Sequence, residues 1–270
     1  MKYLDKKIKD GLAYVTLDRP DKLNALTLDT LDELIRTARE IRKDRTIRAV
    51  VISGEGPSFC AGLDIAGTLK TPGRVAKAFL PNPLLGTNTF QEACWAWRRV
   101  PVPVIAAVRG HCYGGGLQIA LAADFRYATP TSKWSVLEGK WGIIPDMTGV
   151  RTLTEVVGVD VAKRLTMTAE TIDGTEAHRL GLVTELADDP LGAATAFAAR
   201  LAEKSPDAVA AAKRLIDGAL TGRARRTFAR ERWTQIRLLR LPNTGILRRA
   251  VLRKEVPAFR PRATKLPPWH

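Results

Sequence analysis

Cysteine, histidine and long apolar runs are all scarce in this sequence of 270 residues. The three cysteines are Cys60, Cys94 and Cys112, and no two of them have the Cys-x-x-Cys spacing of a zinc or redox site. A disulfide framework is therefore excluded as the basis of the fold, and a reducing cytoplasm is the expected location. No apolar stretch approaches the ~20 residues that a membrane-spanning helix needs, and the first residues lack the apolar segment of a secretory signal.

The short motifs of the commonest nucleotide and hydrolase sites are also absent. The sequence has no Gly-x-Gly-x-x-Gly fingerprint, no phosphate-binding loop ending in Gly-Lys-Ser/Thr and no Gly-x-Ser-x-Gly elbow. Its histidines, His111, His178 and His270, are not spaced as metal ligands. We therefore expect neither a bound metal nor a dinucleotide cofactor.

Acidic residues are nearly missing from the last fifty positions. Residues 221–270 hold 14 lysines and arginines but only Glu231 and Glu255 as acids, so they carry +12 of the total formal charge of +15. The rest of the chain is almost balanced. A nucleic acid or another acidic surface is one candidate partner for this region, although no nucleic-acid-binding motif accompanies it.

The pattern of apolar residues predicts an α/β core. Continuous apolar runs at 12–17, 49–53 and 104–108 are typical of buried strands. After the first run, Thr27 stands where a helix N-cap is expected, and apolar residues then recur on one helix face as far as Ile41. Strands that are apolar throughout favour a parallel sheet with helices on both faces.

The second half of the chain is mainly helical from residue 148 onward. We divide the chain into an α/β core over 1–200, a helical C-terminal region over 201–260 and a tail over 261–270. The Pro-rich end, from residue 257, is predicted to be loosely held.

Two turns that contain glycine, 58–65 and 110–117, follow predicted strands. Small residues let a ligand approach the backbone, and the start of a helix offers unpaired N–H groups. Side by side, two such turns could direct two N–H donors at one oxygen atom and form an oxyanion hole. Taken alone, each pattern is more typical of an ordinary turn.

One carboxylate stands among apolar and aromatic neighbours in the segment 135–146. A carboxyl group in such surroundings can have a raised pKa, so Glu138 is a candidate proton shuttle. The simpler interpretation is a solvated loop acid. Asp146, after Pro145, is predicted to be the N-cap of a helix that begins near Thr148.

Together these segments resemble the enoyl-CoA hydratase/isomerase (crotonase) family. The matching stretches keep the family's order from about residue 12 to 260: 18–26, 59–65, 108–124, 141–146, 175–183, 204–206 and 256–259. The resemblance implies an α/β fold built as a spiral of ββα units, with a helical C-terminal region that mediates trimerisation. It also implies a homotrimer or a dimer of trimers that acts in fatty acid metabolism on an acyl-CoA thioester. No cofactor is expected, because coenzyme A is carried as part of the substrate.

The same resemblance assigns roles to individual residues. The backbone N–H groups of Leu63 and Gly115 match the two donors that hold the thioester oxygen, and Glu138 matches a catalytic acid/base. Gln118 stands where family hydratases have a second glutamate. The residues that match contacts with coenzyme A are Lys22, Leu23, Ala25, Ala61, Asp64 and Ile65.

Gln118 decides which reaction the resemblance favours. An amide has no proton to exchange at neutral pH, although it can position water or substrate by hydrogen bonding. Isomerisation of an enoyl-CoA is therefore favoured, and hydration of a 2-enoyl-CoA is the next alternative. A CoA-thioester binder without activity and a binder of acidic surfaces through 221–270 remain further hypotheses. The segment 67–86, rich in Pro and Gly, is predicted to shape the acyl pocket.

Overall fold

The computed structural model describes residues 1–220, 222 and 224–263. The strands are β1 (Leu4–Lys9), β2 (Leu12–Leu17), β3 (Ala49–Gly54), β4 (Val104–Val108), β5 (His111–Tyr113), β6 (Phe125–Ala128), β7 (Lys133–Ser135), β8 (Ile172–Asp173) and β9 (Glu185–Leu186). The helices of the first half are α1 (Leu28–Lys43), α2 (Ile65–Thr68), α3 (Pro72–Phe79), α4 (Thr89–Arg98) and α5 (Gly115–Ala122). Those of the second half are α6 (Gly149–Val157), α7 (Val159–Thr168), α8 (Gly174–Arg179), α9 (Pro190–Ala202), α10 (Pro206–Ala219), α11 (Ala224–Leu239) and α12 (Pro242–Arg253).

The strands form a large sheet in the order β1-β2-β3-β4-β6-β9 and a small sheet in the order β5-β7-β8. In the large sheet only β1 and β2 pair antiparallel. The chain passes from one sheet to the other in repeated strand–strand–helix units, β4–β5–α5 and then β6–β7–α6. The expected ββα repeat is therefore confirmed.

The three apolar runs form the centre of the large sheet, as predicted. Every residue of β3 is buried, and its side chains alternate between two apolar layers. Val50 and Ile52 belong to the main core with α1 and α4, whereas Val51 packs towards Ala194 and Ala198 of α9. A strand covered on both faces has no polar side, which explains its continuous apolar sequence.

Helix α1 begins where the sequence predicts. The Thr27 side chain accepts a hydrogen bond from the Thr30 N–H, and the Thr30 side chain accepts one from the Thr27 N–H. This reciprocal pair satisfies two of the N–H groups that the first turn of a helix leaves free.

Two local predictions are wrong. Thr148, with φ of 76°, is the N-cap residue of α6, so Asp146 does not cap that helix and is free for another role. The end of the chain is not loosely held as far as it is described. The Arg262 N–H donates to the Arg45 carbonyl (3.1 Å), and the Ala263 N–H donates to Asp207 Oδ1 (2.7 Å). Residues 264–270 of the predicted tail lie outside the described residues.

The C-terminal helices α10, α11 and α12 pack mainly on one another. In α11 only Thr234 is buried, and the side chains of Phe228, Trp233 and Leu239 are exposed. Within the described residues, every helix is too short or too polar to span a lipid bilayer.

Candidate active site

The two glycine turns lie side by side at the junction of the two sheets. Cys60 and Cys112 form a parallel β-bridge between them. The Cys60 N–H donates to the His111 carbonyl (2.8 Å), and the Tyr113 N–H donates to the Cys60 carbonyl (3.0 Å). These bonds hold the two turns, which are distant in the sequence, side by side. This is the arrangement that an oxyanion hole built from both turns requires.

Glycine is required at two points of this contact. A Cβ atom on Gly116 would lie 2.6 Å from the Cys60 Cβ, and one on Gly62 would lie 2.9 Å from the Tyr113 carbonyl oxygen. Gly62 also has φ of 94°, which favours glycine over other residues. The same Cβ on Gly62 would lie 3.6 Å from the Gly115 nitrogen, so the second turn's donor atom is close to the residue that precedes Leu63.

The N–H groups of Leu63 and Gly115 have no acceptor within the described part of the chain. The bridge between Leu26 and Leu63 uses the Gly62 carbonyl and the Asp64 N–H, both at 2.8 Å from their partners on Leu26. The Leu63 N–H therefore points to the other side. Gly115 is the first residue of α5, where an N–H has no partner inside the helix.

Glu138 lies over the second turn. It sits in the 3₁₀ turn Leu137–Trp141 and is only 9% exposed. A Cβ atom on Gly114 would lie 3.4 Å from its Oε1. Its other oxygen, Oε2, is buried and receives no hydrogen bond from the described residues. One carboxylate oxygen is thus engaged by the protein, and the other is left without a donor.

Gln118 holds the engaged oxygen, and the direction of its amide is fixed. The Gln118 oxygen accepts hydrogen bonds from the N–H groups of Met147 (2.8 Å) and Gly149 (2.7 Å). Because backbone N–H groups can only donate, the Gln118 NH₂ must face the other way, and it donates to Glu138 Oε1 at 2.6 Å. Gln118 is fully buried, so water does not compete for these bonds.

Burial raises the pKa of Glu138. Its own backbone N–H and the Gln118 amide partly oppose this rise, and the negative charge of Asp146 adds to it. Burial also raises the pKa of Asp146. Asp146 is therefore a second carboxyl group whose charge acts on Glu138. Sequence reasoning missed Asp146 because an acid after a proline, just before a helix, is typical of a cap.

The residues predicted to contact coenzyme A form one surface. The segment 22–26 runs along 61–65, with the Ala61 N–H donating to the Leu23 carbonyl at 2.9 Å. Lys22 and Leu23 are exposed, and Ala25, Ala61 and Ile65 are partly exposed. The Asp64 carboxylate accepts hydrogen bonds from Arg19 Nη1 (2.9 Å) and the Gly67 N–H (2.9 Å). Its side chain thus supports the loop, and Arg19 is a partner that the sequence analysis did not identify.

The segment 67–86 forms α2, α3 and the loop that follows. A groove of about 350 Å³ lies between this loop, α1 and α4, and is lined by Ile35, Arg39, Lys77 and Asn82 among others. No residue of the predicted site lines it. The described residues include no cluster of three or more His, Cys, Asp or Glu side chains that could hold a metal ion.

Comparison with known proteins gives one consistent result. Residues 7–238 match the enoyl-CoA hydratase/isomerase family. The short-chain-enoyl-CoA hydratase of Clostridium acetobutylicum is 35% identical over 213 residues, which cover 77% of this chain and 79% of that protein. The mitochondrial Δ(3,5)-Δ(2,4)-dienoyl-CoA isomerase of Rattus norvegicus is 36% identical over 210 residues, which cover 74% and 64%.

The fold agrees with this match. The crystal structure of an enoyl-CoA hydratase from Polaromonas sp. JS666 superposes with a TM-score of 0.85 at 30% identity, covering 95% of this chain and 99% of that one. The family match spans most of the α/β core, including both glycine turns, Gln118 and Glu138. With its fold, its two glycine turns and its buried carboxylate, this chain is a member of the enoyl-CoA hydratase/isomerase family, an enzyme of the crotonase type.

Proposed function

We propose that the protein is an enoyl-CoA isomerase that moves the C=C bond of its substrate by a proton transfer through Glu138. Glu138 Oε2 removes a proton from the carbon next to the thioester carbonyl. The electron pair left behind is delocalised onto the thioester oxygen as an enolate. The C=C bond then shifts as Glu138 returns the same proton to the γ-carbon, so that no atom is gained or lost.

The N–H groups of Leu63 and Gly115 are proposed to hold the enolate oxygen. Supporting this role, both groups lack partners among the described residues, and they lie on turns that are locked together. Fixed donors stabilise charge as it develops without having to reorient, and the loss of one such donor costs roughly 10²–10³ in rate in comparable sites.

The orientation of Gln118 is the observation that favours isomerisation over hydration. Addition of water requires one group to activate the water and another to protonate carbon. Gln118 offers its NH₂ to Glu138, and its oxygen is already occupied by two backbone donors. It therefore cannot accept a proton from water, and a single base suits a transfer between two carbons of one substrate.

The surface formed by Lys22, Leu23, Ala25, Ala61, Asp64 and Ile65 is proposed to bind the coenzyme A part of the substrate. The backbone of 61–65 leads directly from this surface to the Leu63 N–H, so a thioester held there would have its carbonyl near the two donors. Lys22 is exposed and can meet a phosphate, whereas Asp64 acts through the loop that it stabilises.

A second candidate is the isomerisation of a conjugated dienoyl-CoA, which Asp146 favours. Such a substrate needs a proton removed at one position and another delivered several carbons away, a task for two carboxyl groups. Burial raises the pKa of Asp146, and the negative charge of Asp146 adds to the rise in the pKa of Glu138. One relative is named as a dienoyl-CoA isomerase. If the protein isomerises dienoyl-CoA with both carboxyl groups, Asp146→Asn should abolish turnover of a 3,5-dienoyl-CoA. If Glu138 acts alone, the same substitution should leave turnover of a 3-enoyl-CoA within about threefold of wild type.

The test of the main proposal is turnover of a 3-enoyl-CoA, compared with hydration of a 2-enoyl-CoA, by the full chain. We expect faster isomerisation than hydration, and loss of about 10²–10⁴ in isomerisation for Glu138→Gln. Glu203→Gln, at an exposed position, is the matched control and should be fully active. Hydration that exceeds isomerisation would assign the protein to the hydratases instead.

A homotrimer or a dimer of trimers is the proposed assembly. The exposed side chains of Phe228, Trp233 and Leu239 on α11 support a subunit contact there, since a helix that buries so little of its apolar surface gains from being covered. Sedimentation velocity should give three or six times the monomer mass, and a monomer at micromolar concentration would contradict this assembly.

A further inference from the structure

Asn24 occupies an unusual position beside the first glycine turn. It is only 2% exposed, and its φ of 57° lies in the left-handed region, as does the φ of 49° at Leu23. Asparagine adopts this region more readily than other non-glycine residues, whereas Leu23 is strained there, and such strain persists only where surrounding contacts hold it in place.

Every polar group of the Asn24 side chain is engaged. Nδ2 donates to the carbonyl oxygens of Glu55 (2.9 Å) and Ser58 (2.8 Å), and Oδ1 accepts from the Arg19 N–H (2.8 Å). Because carbonyl groups only accept, the amide cannot be turned round without losing these bonds. The side chain thus joins the turn at 19–24 to the loop that begins the first glycine turn.

The backbone continues this connection as far as Leu63. The Cys60 thiol donates to the Asn24 carbonyl (3.1 Å). The Leu26 N–H then donates to the Gly62 carbonyl, and the Asp64 N–H donates to the Leu26 carbonyl, each at 2.8 Å. Residues 24–26 therefore pair with residues 60–64, and this pairing makes the Leu63 N–H face away from residues 24–26.

We propose that Asn24 is a positioning residue for the oxyanion hole: its buried amide sets the place of the 55–64 loop and thereby aims the Leu63 N–H at the substrate's thioester oxygen. This inference rests on the proposed role of Leu63. Asn24 itself does not contact the substrate; it acts through the carbonyl groups of Glu55 and Ser58.

Two substitutions separate the amide from the backbone conformation. Asn24→Asp keeps the size and the acceptor for the Arg19 N–H, but it places an oxygen against two carbonyl oxygens. Asn24→Gly adopts a positive φ without strain and so retains the turn, but it has no side chain to hold the loop. Asn88→Asp is the matched control, since Asn88 Oδ1 only accepts from the Gln91 N–H and an aspartate can do the same.

The experiment measures the carbonyl stretching frequency of butyryl-CoA, labelled with ¹³C at the thioester carbon, when it is bound to each full-length protein. Hydrogen bonds to the carbonyl lower this frequency. We expect a lowered frequency in wild type and in Asn88→Asp, and a return towards the frequency of free butyryl-CoA in both Asn24 variants. Isomerisation should slow by about tenfold or more in kcat, a part of the effect of losing one donor.

A merely structural role would weaken binding generally, so binding of S-butyl-CoA is measured in parallel. This thioether lacks the carbonyl oxygen, and its Kd should change by less than about twofold in Asn24→Gly, since its binding does not use the oxyanion hole. Unaltered carbonyl frequency and kcat in Asn24→Gly would overturn the role of Asn24, whether or not Asn24→Asp folds. Absence of a lowered frequency in wild type would instead overturn the proposed oxyanion hole.

Discussion

Replacing Gln118 by glutamate tests how the side chain beside Glu138 determines the reaction. In Gln118→Glu, one carboxylate oxygen can still accept from the N–H groups of Met147 and Gly149. The other oxygen takes the place of Nε2, which lies 2.6 Å from Glu138 Oε1. Two bare carboxylates at 2.6 Å repel by about 6 kcal/mol at an effective dielectric constant of about 20.

This repulsion is large enough to keep one proton on the pair at neutral pH, because each 1.4 kcal/mol corresponds to about a tenfold change in proton affinity. The proton should reside on Glu138, since the carboxylate introduced at position 118 is stabilised by two backbone N–H donors and Glu138 has lost the donor that Gln118 supplied. Glu138 then ceases to be a base. Isomerisation of a 3-enoyl-CoA at pH 7 should fall by about 10²-fold, and hydration of a 2-enoyl-CoA should rise.

The assay follows both reactions by the absorbance of the conjugated enoyl thioester, over pH 5 to about 10. Gln91→Glu is the control, because the Gln91 side chain only accepts from the Asn88 N–H and lies outside the site. The Gln118→Glu variant should recover isomerisation at high pH, where the shared proton is lost. An isomerisation rate and pH profile unchanged from wild type would refute the claim that Gln118 controls the charge of Glu138.

Other expected outcomes follow from the same geometry. Gly115→Val should lower kcat/KM by roughly 10²–10³, because even a Cβ atom there would lie 3.0 Å from Leu26 Cδ1 and from Met147 Sδ. Gly245→Val is the control and should be near wild type in kcat/KM, because a Cβ atom on Gly245 would have no neighbour closer than 3.7 Å. Glu138→Gln should raise Tm at pH 7, measured by calorimetry. Since burial raises the pKa of Glu138, the protonated side chain stabilises the folded state, and this stabilisation is lost as the pH rises through the folded pKa. The difference in Tm between Glu138→Gln and wild type should therefore shrink towards pH ~4. A difference that stays constant with pH would contradict this prediction.

How far the sequence predicts the fold depends on where each element is buried. The strands at 12–17, 49–53 and 104–108 could be predicted because they lie inside the large sheet and are therefore largely apolar. The short strands β5, β7 and β8 have three residues or fewer, too few for any periodicity to appear. β1 carries three lysines and an aspartate because it lies at the sheet edge, and its composition resembles a surface loop.

The site divides in a similar way. The glycine turns and Glu138 could be proposed as site residues from sequence because residue types in an ordered series of segments carry the resemblance to the family. The direction of the Gln118 amide could not, since it is set by N–H groups 29 and 31 residues away. The proposed role of Asn24 could not be predicted either, since it depends on the carbonyl groups of Glu55 and Ser58, 31 and 34 residues away. For Asp146, an acid after Pro145 is typical of an N-cap, and nothing in the sequence indicates that Thr148 caps α6 instead.

The central claim is that Glu138 transfers the proton on a substrate held by the two N–H donors. Its most direct test is the conversion of a 3-enoyl-CoA to a 2-enoyl-CoA in D₂O, followed by NMR for wild type and for Glu138→Gln. We expect wild type to convert the substrate, and Glu138→Gln to lose about 10²-fold or more in conversion while it still binds the substrate. Conversion by Glu138→Gln at the wild-type rate would contradict the claim.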